Sequence, residues 1–105
     1  MVDIFISQPM RGREQGEIEA ERDAAFAEIA CMIAGERGEN CREVPSYFGP
    51  KGAAQMDPLE CLGKSIELMA HADLVVFCEG WESARGCRIE HECAVQYGKE
   101  VVELV

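Results

Sequence analysis

The segment at residues 72–78, ADLVVFC, constrains this chain more than any other. It is apolar along most of its length and does not alternate, the pattern of a strand covered on both faces. Residues 2–7, VDIFIS, form a second such run, rich in β-branched and aromatic residues and closed by Gln8-Pro9. Proline lacks an N–H donor and disfavours helix in the residue before it, so the strand is predicted to end there. Strands buried on both faces belong to parallel sheets, and parallel neighbours need crossover connections, usually helical.

The intervening sequence supplies them. From Glu14 to about Ala34, Ile18, Ala25, Ile29, Met32 and Ile33 recur at helical spacing, with Glu14, Glu17, Glu21 and Glu28 on the other face. Gly35 and Gly38 are predicted to stop this helix. A weak strand follows at 42–44, then an irregular stretch at 45–57 that carries Tyr47 and Phe48. A loop that long in a small domain is usually functional or an interface. Asp57-Pro58 reads as an N-cap with proline at the first helical position, opening a helix to about His71. A helix over 87–97 and a last strand over 100–105 complete the order β-α-β-α-β-α-β. The 105 residues hold one hydrophobic core. The prediction is therefore a single α/β domain over residues 1–105, Rossmann-like (flavodoxin-like), with a parallel sheet of about four strands and helices on both faces.

In such sheets ligands bind beyond the carboxyl ends of the strands, which here gathers residues 7–13, 45–57 and 79–86. Arg11, Arg13, Arg85 and Arg88, four of the ten basic residues, fall at that end. The net charge of −10 argues against nucleic acid or an anionic membrane surface as a partner, but not against a small anion met by local charges. The six cysteines, at 31, 41, 61, 78, 87 and 93, form no CxxC pair and no zinc spacing, so no metal is expected. Cys31, Cys78 and Cys93 are read as buried, reduced thiols. No run approaches the length of a membrane helix, and the opening VDIFIS has no basic lead, so the expected location is cytoplasmic.

The last helix carries the most suggestive carboxylate. Residues four apart share a helix face, giving one stripe of Gly86, Glu90, Ala94 and Gly98. Small residues around Glu90 leave space for a ligand or a neighbouring backbone. A second stripe, Ile89, Cys93 and Tyr97, is predicted to face the sheet, and a third, Arg88, Glu92 and Gln96, to face water. An ionised carboxylate can attack the anomeric carbon of a sugar. Spacing alone nevertheless favours a solvated surface glutamate over a reacting one.

Three segments, VDIFISQPMRG, HADLVVFCEGWESARG and RIEHECAVQYGKEV, together resemble the nucleoside 2-deoxyribosyltransferase superfamily, most closely its small phage and bacterial members. The resemblance spans most of the chain, and the Gly86–Glu90–Ala94–Gly98 spacing is its most specific part. It implies that Glu90 attacks C1′ of a deoxynucleoside and expels the base, and that a second base or water resolves the covalent intermediate with retention. SQPMRGRE is similar to the phosphate-side loop of the related deoxynucleoside 5′-monophosphate N-glycosidases. By that likeness Ser7, Pro9, Met10, Arg11, Gly12 and Arg13 line the sugar and phosphate side, with Ser83, Arg85 and Gly86 opposite. The family implies no metal or organic cofactor, a nucleoside or nucleotide as ligand, and a homodimer or larger homo-oligomer.

Two positions depart from the pattern. Active relatives commonly have a tyrosine at Phe5 to orient the carboxylate, and an Asp or Ser at Ala84, six residues before the nucleophile. Phenylalanine cannot donate that hydrogen bond. These departures favour an alternative, a catalytically silent nucleotide-binding or regulatory protein on the same fold. A purely structural oligomer is a third reading. Trp81, with Tyr47 and Phe48, is expected either to stack on a base or to sit in a subunit interface. Asp73, at the far end of its strand, His71, near a helix C-terminus, and the Cys87–His91 spacing are read as structural.

Overall fold

A computed structural model of the chain describes residues 1–46 and 57–105. Tyr47 and Phe48 lie outside them. The elements are β1 (Val2–Ser7), α1 (Gln15–Arg37), β2 (Cys41–Glu43), α2 (Pro58–Met69), β3 (Leu74–Phe77), a 3₁₀ turn (Trp81–Ser83), α3 (Arg85–Gln96) and β4 (Glu100–Glu103). The four strands form one parallel sheet in the order β2-β1-β3-β4. The predicted α/β class, strand number and parallel sense are therefore found.

The alternation of side chains along β1 and β3 builds two cores. Val2, Ile4 and Ile6 join Leu74, Val76 and Cys78 beneath Ala25, Ile29 and Ile33 of α1. Phe5, Val75 and Phe77 point the other way, against Met69 of α2 and Ala94 of α3. Both faces of β3 are thus covered, as its unbroken apolar run requires. Period two also places Ser7 on the Phe5 face, toward α2 and α3.

Local chemistry accounts for most boundaries. Asp57 caps α2 by accepting from the Leu59 N–H at 2.9 Å, with Pro58 in the first turn. The α1 helix runs through Gly35 and stops at Gly38, whose φ of 65° is left-handed and whose N–H bonds the Ala34 carbonyl. A helical glycine costs only about 1 kcal/mol, so Gly35 alone does not end a helix anchored on both sides of it. Asp73 accepts the Asp3 N–H at 2.9 Å, a structural clasp at the amino end of the sheet.

Burial corrects three expectations. Met32 is 41% exposed because it lies on the flank of the stripe made by Ile18, Arg22, Ala25, Ile29 and Ile33. Cys31 is exposed and Cys93 only partly buried, while Cys78 is buried as expected. On α3 the stripe Ile89, Cys93, Tyr97 does not face the sheet, since Ile89 is 39% and Tyr97 85% exposed. The helix docks instead through Cys87, Glu90 and Ala94, because small side chains let it come close to β3. The third stripe, Arg88, Glu92 and Gln96, faces water as predicted.

Candidate active site

The chain leaves β1 for β2 on one side, and returns past β1 to place β3 on the other. The loops after β1 and β3 therefore diverge, which makes the carboxyl ends of these two strands the switch point of the sheet. A cleft of about 680 Å³ opens there. That volume is in the range of small-molecule sites. Its walls come from the exit of β1, the 3₁₀ turn, the first turns of α2 and α3, and Arg22 of α1.

Glu90 lies in this cleft, only 8% exposed. Ser7 Oγ donates to its Oε1 at 2.5 Å, so the last residue of β1 orients a carboxylate on α3. Burial raises the Glu90 pKa above the usual carboxylate value. Hydrogen bonds from Ser7 and Ser65 and the charge of Arg22 oppose that rise. Cys87, one turn earlier, is buried beside the same serine, and desolvation pushes its thiol up to about 11. It is a thiol, not a thiolate, at neutral pH. Cys78, pushed up to about 12 by burial, is inert for the same reason.

The charge of the cleft opposes that of the chain. Among its described lining residues Glu90 is the one carboxylate, against Arg11, Arg22, Arg85 and Arg88. In a protein of net charge −10, four of ten cations line one concavity. Such a cavity concentrates anions even though the surface as a whole repels them. Ala84 gives no side-chain cap to α3, and Ala84, Arg85, Gly86 and Cys87 line the cleft, so the uncapped amino end of this helix lies at its wall.

Of the residues expected from sequence, the cleft brings together Ser7, Pro9, Met10, Arg11, Ser83, Arg85, Gly86 and Glu90. Three do not line it. Arg13 bends back to the Pro9 carbonyl at 2.9 Å and to Glu21 Oε1 at 2.7 Å, bracing the loop against α1. Gly12 is exposed in the intervening turn. Trp81 stacks on His91 with ring centroids 4.0 Å apart and leans on Phe77, so one face of its ring is taken up within the fold. His91 in turn reaches Glu103 of β4 at 2.8 Å. Its pairing with Cys87 as metal ligands finds no third partner, since no group of three or more His, Cys, Asp or Glu among the described residues is placed to hold an ion.

The residues that sequence reasoning passed over form a buried polar frame. Arg22, 5% exposed, donates to Gln8 Oε1 (2.8 Å), Glu43 Oε2 (3.0 Å), Ser46 Oγ (3.0 Å) and the Ile6 carbonyl (3.2 Å). Gln8 donates in turn to the Ile18 carbonyl and to Glu21. The signal for Arg22 was present in the sequence, because it occupies the apolar stripe of α1 between Ile18 and Ala25. A charge at a core position marks a cation that the fold must pair. Ser65 gave no comparable signal.

Fold and site together define a single-domain parallel α/β protein with a cationic, ligand-sized cleft around one buried carboxylate. By sequence, the chain belongs to the family described as Domain of unknown function (DUF4406), which matches residues 2–103. No curated protein and no solved structure matches it. No described helix is long and apolar enough to cross a membrane.

Proposed function

We propose that this protein cleaves the N-glycosidic bond of a 2′-deoxynucleoside or its 5′-monophosphate, with Glu90 as the nucleophile. The observation that carries this reading is the pairing of Ser7 and Glu90 at the switch point, where one oriented, desolvated carboxylate faces a cleft otherwise lined by cations. In the first step a Glu90 oxygen bonds to C1′ and the C1′–N bond breaks. The base leaves with the electron pair and takes its proton from water, since the cleft's described lining holds no second carboxylate. In the second step water or another base attacks C1′, Glu90 departs as carboxylate, and the configuration is retained.

The serine answers the departure at Phe5. Phe5 is 1% exposed and can orient nothing by hydrogen bonding. Ser7 lies two residues on, on the same face of β1, and donates the bond that phenylalanine cannot. Ser7→Ala is therefore expected to lower kcat about 10- to 100-fold with KM little changed, the scale of a mispositioned reacting group. Equal kinetics in Ser7→Ala and the parent would remove the serine from the reaction.

A second reading, nucleotide binding without turnover, is favoured by Ala84, which leaves no side-chain oxygen at the position the resemblance gives to the 5′ side. The N–H groups of α3 and the guanidinia of Arg11 and Arg85 take over that task in the proposal. Arg11→Ala and Arg85→Ala are each expected to raise KM for monophosphates about tenfold or more, and to leave KM for nucleosides nearly unchanged. A loss equal for both substrates would place these arginines outside the phosphate contact.

The experiment that separates the two readings is chromatographic detection of free base after incubation with each 2′-deoxynucleoside and each 5′-monophosphate. Base release supports the glycosidic reading. Ligand-dependent thermal stabilisation without release supports the silent binder.

A further inference from the structure

We infer that Arg22 is the electrostatic counterweight of Glu90, a positioning residue that holds the cleft carboxylate in its ionised form from behind the β1–β2 edge. Both side chains are buried, both line the same cleft, and they approach it from opposite faces of the sheet, Arg22 from α1 and Glu90 from α3. The link between them is short in sequence. Arg22 Nη2 donates to the carbonyl of Ile6, and the next residue, Ser7, donates to Glu90.

The guanidinium is clamped rather than mobile. Its bonds to Gln8, Glu43, Ser46 and Ile6 fix the charge in place, so that its field at the cleft costs no reorganisation when a ligand arrives. Glu43, 28% exposed on its side chain and 3.0 Å from Nη1, offsets part of this charge from the outer side. On its inner side the buried guanidinium lines the same cleft as Glu90, and its burial leaves its charge less screened than that of an exposed arginine. The groups facing Glu90 are Ser7 from β1, Ser65 from α2, Cys87 from its own helix and Arg22 from α1. Two are neutral hydroxyl donors and Cys87 is a neutral thiol; of the four arginines that line the cleft, Arg11, Arg85 and Arg88 are exposed and screened by water, whereas Arg22 is buried and held in place.

The role rests on Glu90 being the reacting group, but its test needs no turnover. The protein is labelled with ¹³C at glutamate side-chain carboxyls, and the Glu90 signal is assigned by its disappearance in Glu90→Gln. The expected result is that Arg22→Gln moves the titration midpoint of Glu90 to higher pH, while Arg22→Lys, which keeps the charge, moves it less. Glu43→Gln makes the opposite prediction, because Arg22 loses its outer counter-charge and the midpoint should fall. That variant alters a partly exposed side chain and keeps the inference testable if Arg22→Gln does not fold. If turnover exists, the acid limb of kcat/KM against pH should move with the same signs, whereas a merely structural defect would lower the rate equally at all pH. An unmoved Glu90 midpoint in folded Arg22→Gln, or in Glu43→Gln, overturns the inference. Absence of base release from the parent protein overturns the glycosidic reading alone.

Discussion

Glu90→Gln is expected to abolish base release, by about 10³-fold or more as for loss of a covalent nucleophile, while making the protein more resistant to heat at neutral pH. The two effects share one cause. Burial raises the Glu90 pKa in the folded state, so between the ordinary carboxylate value and the raised one the folded chain holds a proton that the unfolded chain has released. The contribution of this group to stability is greatest below the unfolded pKa, and is lost as pH climbs through the folded one. At neutral pH the ionised carboxylate is a buried charge that opposes folding. Glutamine keeps the shape and an oxygen to accept from Ser7, but not the charge. The gain in Tm should therefore be present at pH 7 and shrink toward acid pH, where Glu90 itself is protonated. The same sign governs activity, which requires the carboxylate and should rise with pH above the usual carboxylate range. A Glu90→Gln protein less stable than the parent at neutral pH would contradict the burial argument. Stability sacrificed at one residue is what a functional site predicts.

The largest effect on folding is expected from Phe77→Ala. Phe77 is fully buried on β3, packs edge-on against His91 at 4.8 Å, and stands 5.7 Å from Trp81. Truncating a core phenylalanine costs about 3–5 kcal/mol, against a total of about 5–15 kcal/mol for a domain of this kind. The loss also reaches the cleft, because the Trp81–His91 stack that rests on Phe77 holds the 3₁₀ turn leading to Ser83 and Arg85. Trp81 is the single tryptophan, so its fluorescence reports that turn directly. Urea unfolding should show the midpoint falling sharply, with the emission of the folded state shifted to the red. Val95→Ala, at a side chain 52% exposed, should change stability by no more than about 0.5 kcal/mol. Similar midpoints for the two variants would mean that the β3 face is not the core described.

The sheet was legible because its signals are local. An apolar run such as 72–78 declares its burial by itself, and Asp57-Pro58 carries its own capping chemistry. The site was legible in part for the same reason. Ser7, Arg11 and Arg85 fall at the strand ends that a parallel sheet brings together, whereas Glu90 stands out through the family resemblance, since spacing alone favours a surface residue. What the sequence leaves open depends on partners distant in the chain. Arg13 reads like Arg11 in sequence, yet Glu21 captures it, and nothing in Arg-Gly-Arg announces which arginine turns inward. Trp81 reads as a free aromatic until His91, ten residues on, is brought against it by the first two turns of α3. Hydrophobicity alone points to the wrong face of α3, the stripe Ile89, Cys93 and Tyr97. Close approach to β3 chose it instead, through Ala94 and the small thiol of Cys87, with Glu90 carried inward between them.

The central claim is that Glu90 becomes covalently bound to the sugar. Acid quenching during incubation with a 2′-deoxynucleoside 5′-monophosphate, followed by peptide mass spectrometry, tests it most directly. The account predicts one deoxyribosyl phosphate on the peptide containing Glu90, absent in Glu90→Gln, with release of base and retention at C1′. Base release with inversion and no adduct, or an adduct that persists in Glu90→Gln, would contradict it.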